Sequence, residues 1–404
     1  MITTRTIKPE QLTHSEICEW EWMVRANPAL CSPFFRPEFT LAVGRVRADA
    51  HVVVVEKQGL PVAFLPFQGA KRGEQVAIGA SLNDFQGVIS ATDANYSVSE
   101  IMKLAGIKQM FCAKLLDWQH SFKSFAIAEN PSPFVDLTNG YGAWESHLKK
   151  SGRSHLKQLA RKERKLIRER GPIHFDYHTT STDVLRQLID WKRIQYHRTN
   201  EIDTLAARWT NDLLHSLLDL PQNSELQPIL SALYAGGSLV AAHYSLSAPG
   251  VCHSWFPSYN PEFAVYSPGK LMLRRLLFEA PEQGIQRFDF GTGDEPYKYT
   301  FANDSVRVCR TIIDRNPVRR WLRSNLYRVR MAVKASPFGP GIRETRGRLR
   351  RLAGELQTTR IFTSATGSHV GATTDVPSTT SRTEPVPPQQ DNTDQNTFVE
   401  VHKS

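Results

Sequence analysis

The residues best suited to chemistry fall in one polar stretch, Phe288-Asp289-Phe290-Gly291-Thr292-Gly293-Asp294-Glu295-Pro296-Tyr297-Lys298. Asp289 and Asp294 are carboxylates that can take a proton from a nucleophile, and Tyr297 can return one to a leaving group. Gly291 and Gly293 allow a bulge or a close backbone approach, where main-chain N–H groups can polarise a carbonyl. His243, in the run LVAAHYSL, is a further candidate base. Each has a plainer reading. A glycine-rich turn held by Asp side chains needs no chemistry, and a lone His on a half-buried strand, such as His243 or His253, is more often structural.

A second constellation precedes the first. Ser267-Pro268-Gly269-Lys270 reads as a helix start, with Ser267 as N-cap and Pro268 as first helical residue. Gly269 lets a ligand approach the backbone. The run VCHSWFPSY before it reads as a strand, and a strand that turns into a helix start presents N–H groups to an anion. Lys270 and Arg274 would add charge to that cradle. Farther upstream, Lys149 to Arg170 holds ten basic and two acidic residues. Such a run is usually a solvated face, but this one exceeds what solubility needs. Arg153, Lys157 and Arg161, with Lys298, are candidate contacts for an anionic ligand, which the family resemblance given below implies to be a substrate or acyl carrier, with nucleic acid as the rival.

The elements that must position these groups follow from pattern. Two β-rich runs flank Lys57-Gln58-Gly59 as a hairpin, Val98 to Ala105 reads as a helix and KQMFCAKLLDW as a strand. A first α/β layer closes near Pro131-Ser132-Pro133. Beyond it, Tyr141–Lys150, Arg153–Arg170, Thr182–Thr199 and Trp209–Leu218 read as helices. Three strands then run from Leu226 to Asn260, the first two joined at Ala235-Gly236-Gly237. The stretch Arg287–Phe301 reads as a strand broken at Gly291–Gly293, and VRVCRTIIDR as a last strand. After Asp314 comes an amphipathic helix with Val318, Leu322, Leu326, Val329 and Val333 on one side and arginines on the other. It is expected to dock by its Val/Leu face and to add a weak contact with an anionic membrane surface.

Strand, anion-type turn, helix, then a strand with a polar break is an order that resembles the acyl-CoA-using GNAT fold. The likeness is carried by Tyr266-Ser267-Pro268-Gly269-Lys270, by Phe288 through Lys298, and by the basic run Arg153–Arg170. Within GNAT proteins it is similar to the cellulose-biosynthesis-associated branch and, more distantly, to Fem-type peptidyltransferases. The resemblance implies an α/β fold of mixed sheets flanked by helices, built as two tandem GNAT-like units. The units would be 1–133 and an acyl-CoA-binding 134–315, followed by a basic helical extension (316–357) and a disordered tail (358–404). It also implies acetyl-CoA as acyl donor and a small-molecule or saccharide acceptor, in exopolysaccharide or envelope assembly. The alternatives are a Fem-type transferase using aminoacyl-tRNA, and a non-catalytic adaptor for anionic or membrane surfaces.

Composition narrows the field. The net charge of +10 is uneven, since Arg315 to Glu355 alone holds twelve basic and two acidic residues. Five cysteines are scattered without a C-x-x-C pair, which argues against a disulfide framework or zinc site and suits a reducing, cytoplasmic setting. Apolar runs are far too short for a membrane span. There is no G-x-S-x-G, P-loop or metal-ligand spacing to support a hydrolase, kinase or metalloenzyme.

Overall fold

Alternating and helical hydrophobic patterns generate one series of elements twice over. In a computed structural model, residues 2–69, 74–91, 97–117, 119–152 and 156–335 are described. The chain divides into Met1–Ile342 and Arg343–Ser404. The tail and the part of the basic extension beyond residue 335 lie outside the described residues, as does Arg153.

The first series is β1 (Ile2–Ile7), α1 (His14–Ala26), α2 (Pro37–Val46), β2 (Ala50–Lys57), β3 (Leu60–Gly69), β4 (Gln75–Ala77), the two-residue β5 (Ile89–Ser90), α3 (Val98–Leu104), β6 (Gln109–Leu116), α4 (His120–Lys123) and β7 (Ala126–Asp136). Two linking helices follow, α5 (Gly140–Lys150) and α6 (Leu156–Arg170). The second series is β8 (Ile173–Asp176), α7 (Thr182–Thr199), α8 (Arg208–Leu218), β9 (Gln227–Ala235), β10 (Ser238–Ala248), β11 (Val251–Tyr259), α9 (Pro268–Glu279), β12 (Arg287–Asp289), α10 (Pro296–Phe301) and β13 (Asp304–Asp314). The last described element is α11 (Pro317–Ala335). The unit boundary expected at 133/134 falls inside β7.

Local chemistry explains much of this. Gln58 and Gly59 (φ 55° and 79°) and Gly236 and Gly237 (φ 55° and 80°) form two-residue turns whose twist suits antiparallel hairpins. Thr13 caps α1 reciprocally with Glu16, and the Ser181 hydroxyl accepts from Val184 N at the start of α7. Val184, Leu185, Leu188 and Trp191 of α7 are buried, whereas Ile194 is exposed.

The strands lie in the order β1-β2-β3-β4-β6-β13-β7-β12-β11-β10-β9-β8. Matched by position in the two series, this order reads the same from either end. The architecture is a mixed α/β sheet flanked by helices, made of two similar units that exchange their last strands. β13 pairs antiparallel with β6 of the first unit, and β7 pairs antiparallel with β12 of the second. One apolar cluster also crosses the halves, joining Trp20, Phe34 and Phe39 to Leu213, Leu217 and Trp255. Arg36, almost fully buried, forms an ion pair with Glu225 of the other half.

Two departures concern the site. The segment after Pro296 is helical, so Tyr297 and Lys298 sit on α10 and not on a strand. α11 also docks the opposite way round from expectation: Arg320, Arg323 and Tyr327 face the sheet, and Val318, Leu322, Leu326 and Val329 are exposed.

α6 ends against the β9–β10 turn, where Gly171 and Gly236 pack backbone to backbone. A Cβ at Gly236 would overlap the Arg170 carbonyl oxygen, whereas one at Gly237 meets open space. Gly236→Ala should therefore destabilise the full chain by roughly 2–4 kcal/mol, and Gly237→Ala by only about 1 kcal/mol for its left-handed backbone. Urea unfolding midpoints of the two variants check the difference.

Candidate active site

β11 and β12 run parallel and pair over only Val251↔Arg287, Cys252↔Phe288 and His253↔Asp289. Beyond that point β11 continues to Tyr259 while the other chain turns away at Gly291. The strands therefore part just after His253 and Asp289. Register partners on parallel neighbours point to the same face of a sheet. His253 is wholly buried, and its Nε2 lies 2.9 Å from Asp84 Oδ2. Asp84 comes from the other half of the chain and is also ion-paired to Lys114. Burial would raise its carboxyl pKa, but Lys114 and His253 outweigh this and hold it well below the usual range.

A carboxylate at Nε2 keeps the proton on that nitrogen and leaves Nδ1 as the acceptor. His253 Nδ1 and Asp289 Oδ2 are both buried and have no hydrogen-bond partner among the described residues. Asp289 Oδ1 takes two hydrogen bonds from Arg287, at 2.9 and 2.7 Å. Phe34 and Phe85 meet the His253 ring edge-on and fix its plane. Phe85 and Asp289 also line a cavity of about 230 Å³ with Cys31, Ser32, Asp117 and Arg287.

The glycine-rich turn closes against this pair. A Cβ at Gly291 (φ 66°) would strike the Asp84 carboxylate and touch the His253 ring, so only glycine fits there. Gly293 (φ 148°) leaves room for Lys298, whose ammonium donates to Thr292 O at 2.8 Å and pairs with Glu295 at 3.1 Å. Lys192 of α7 is buried and donates to the β11 carbonyl of Pro257 at 3.2 Å. Burial lowers its pKa to about 8, with Glu295 opposing and Lys298 adding to the shift.

The second constellation forms around the start of α9. Ser267 adopts the left-handed conformation (φ 58°, ψ 51°) and makes no side-chain cap. Its hydroxyl instead accepts from Lys162 of α6 at 2.6 Å. Pro268 has no N–H, while Lys270 N and Leu271 N bond back to Ser267 O, so among the described residues Gly269 N–H is the donor left free at this helix start. Lys162, Ser267 and Lys270 line a small cavity of about 40 Å³ with Leu159, Thr300 and Phe301. Arg274 does not join it. Arg274 and Arg275 both bind Glu163, at 2.5 and 2.6 Å, which consumes the charge expected to face an anion. The Tyr266 hydroxyl donates to Glu169 at 2.8 Å, so three polar ties clamp α6 onto this turn.

The sequence-derived residues thus divide. Asp289 reaches the parting of the strands, whereas Asp294 is exposed on the turn. Tyr297 packs edge-on against Phe290, and burial raises its pKa well above the ordinary value. His243 is buried and bonds Ser254 Oγ at 2.8 Å. Burial lowers its pKa to about 3, with Lys192 and His253 adding to the shift, so it is neutral near pH 7. Lys157 and Arg161 lie exposed on α6. Sequence reasoning set His253 aside as structural and did not weigh Asp84, Lys114 or Lys192. The sole clue to Asp84 was a polar Asn-Asp pair inside a β-rich run.

Residues 153–299 match the family model of an acetyltransferase (GNAT) domain. No curated protein sequence matches the chain. Among solved structures, that of FemX is 10% identical, covers 79% of this chain and 100% of its own, and superposes with a TM-score of 0.53. A protein of unknown function from Bacteroides thetaiotaomicron VPI-5482 is 9% identical, covers 78% and 100%, and gives 0.50. The C-terminal domain of a putative lysylphosphatidylglycerol synthetase from Agrobacterium fabrum is 14% identical, covers 80% and 97%, and gives 0.48. The likeness to a GNAT acetyltransferase domain thus falls on residues 153–299, and the chain shares the mixed α/β fold of FemX.

His243 also makes stability sensitive to acid. Its folded pKa lies below the unfolded 6.5, so the unfolded chain binds the extra proton between those values. Stability is complete above pH 6.5 and falls by about 1.4 kcal/mol per unit as the pH drops toward 3. Denaturant unfolding at pH 7, 6 and 5 should show this slope in the native chain and a flatter one in His243→Gln.

Proposed function

We propose that the second half of the chain, from 134 to 315, is an acyltransferase unit. It would move an acyl group from a phosphate-bearing donor to an amine or hydroxyl acceptor. The observation that carries this reading is the parting of β11 and β12 beside His253, whose Nε2 is held by Asp84 and whose Nδ1 is buried without a partner among the described residues. His253 Nδ1 takes the proton of the acceptor nucleophile as it attacks the acyl carbonyl, Asp84 stabilises the imidazolium that results, and the proton passes to the group that leaves as the donor's acyl bond breaks. The acceptor enters the cavity lined by Asp289, Arg287 and Asp117. Asp289, tied to Arg287, orients it there and is not the base. Backbone amides of β11 beyond His253, left without a parallel partner, polarise the acyl carbonyl.

Acetyl-CoA is the donor that fits the α9 turn, where Gly269 N–H, Lys162 and Lys270 would hold its phosphates; it supplies an activated thioester. A second reading is favoured by one observation. The outward face of α6 shows Lys157, Arg161, Arg164 and Arg168, all exposed, beside that same turn. A row of cations on a donor site suits a polyanion, and the donor in this reading is aminoacyl-tRNA. A saccharide acceptor in envelope or exopolysaccharide assembly is compatible with both.

Calorimetric titration of acetyl-CoA into the full chain separates them. Binding that is lost in Gly269→Glu and kept in His253→Gln supports the first reading, and His253→Gln should then lower turnover by roughly 10²–10⁴-fold. No binding at millimolar acetyl-CoA, with tRNA binding that weakens steeply with salt, transfers the site to the second.

A further inference from the structure

α11 is amphipathic, but it is mounted with its polar side inward. Three ties hold that side. Arg310 donates to the Tyr327 hydroxyl at 2.7 Å, Arg323 bonds Gln109 at 3.0 Å and pairs with Glu74, and Arg320 stacks over Phe125 at 5.0 Å. Arg319 adds a longer pair with Asp314 at 3.6 Å. Helical periodicity then sends Val318, Trp321, Leu322, Leu326 and Val329 away from the sheet. All five are exposed, Val318 at 72%, Trp321 at 67% and Leu326 at 60%. A surface helix ordinarily shows the reverse arrangement, and a contiguous apolar stripe of this kind marks a binding face.

Charge identifies the occupant. Pro317–Ala335 contains six Arg or Lys residues and no Asp or Glu. Arg319 and Arg328 follow the apolar stripe along its two margins on the helical wheel, and both are exposed. A second copy of this face would bring cations against cations in a two-fold contact. The chain's own residues 343–356 are also strongly basic, with Arg343, Arg346, Arg348, Arg350 and Arg351 against Glu344 and Glu355. An apolar interior beneath an anionic surface complements the stripe and its margins together.

We propose that the outward face of α11 is a docking surface for an anionic lipid membrane, with Trp321, Leu322 and Leu326 entering the acyl boundary and Arg319 and Arg328 meeting lipid phosphates. This assignment does not depend on the catalytic reading.

Flotation of the full chain with phosphatidylcholine vesicles, with and without phosphatidylglycerol, tests it. The native chain should float with the anionic vesicles and, at raised salt, less so. The double variant Leu322→Asp, Leu326→Asp should lose binding by at least about tenfold with an unchanged unfolding midpoint, because both side chains face outward. Arg328→Glu should weaken binding about tenfold while leaving the apolar stripe intact. Equal flotation of the native chain and the double variant would overturn the proposal, as would no flotation with either vesicle. A native chain that self-associates and does not float, but becomes monomeric in the double variant by light scattering, would give the face to a second copy.

Discussion

Everything at the candidate site depends on the exchange of β7 and β13 between the two halves. β13 inserts between β6 and β7, so neither half completes its sheet from its own strands. That exchange brings the loop holding Asp84 against β11. The His253–Asp84 bond then joins residues 169 positions apart. Trp255 reinforces the contact by donating to Leu82 O at 2.8 Å, and Gly291 packs into the angle between the two residues. A buried carboxylate held by a lysine and a histidine is tolerable only where the geometry is kept tight, and the shared apolar cluster keeps it so.

What could be read from the chain beforehand follows the range of the interactions. Helices such as Thr182–Thr199 and hairpins turning at Gln58-Gly59 and Gly236-Gly237 are local, and the structure places them where pattern does. The anion turn at Ser267–Lys270 was legible as a helix start, but its cap was not, because Lys162, which engages Ser267, lies 105 residues upstream. Arg274 looked free until Glu163 arrived from α6. Tyr297 and Lys298 looked strand-like since six residues are too few for helical periodicity to declare itself. His253 was misjudged for the same reason: its partner is distant in sequence, and a lone histidine carries no mark of the carboxylate it will meet.

The two basic segments, alike in composition, do different work. In α6 the inward groups Lys162, Glu163 and Glu169 clamp the α9 turn, which frees the remaining cations to face solvent around it. In α11 the inward arginines are spent on holding the helix to the sheet, and that choice exposes the apolar stripe. Sequence charge alone does not separate these outcomes, because what differs is which acids and rings the neighbouring strands offer.

The exchanged strands also set a schedule for folding. During synthesis β6 is complete long before β13 emerges, and its register partners, such as Leu116 and Val308, lie almost the length of a domain apart. Until then the first half presents an unpaired strand edge, the kind of surface that recruits other chains. Closure needs contacts of very high sequence separation, so it must be slow compared with formation of the hairpins and helices. The nascent chain is thus committed to a late, all-or-nothing assembly. A premature stop before residue 304 would leave not half a fold but an open edge with nothing to fill it.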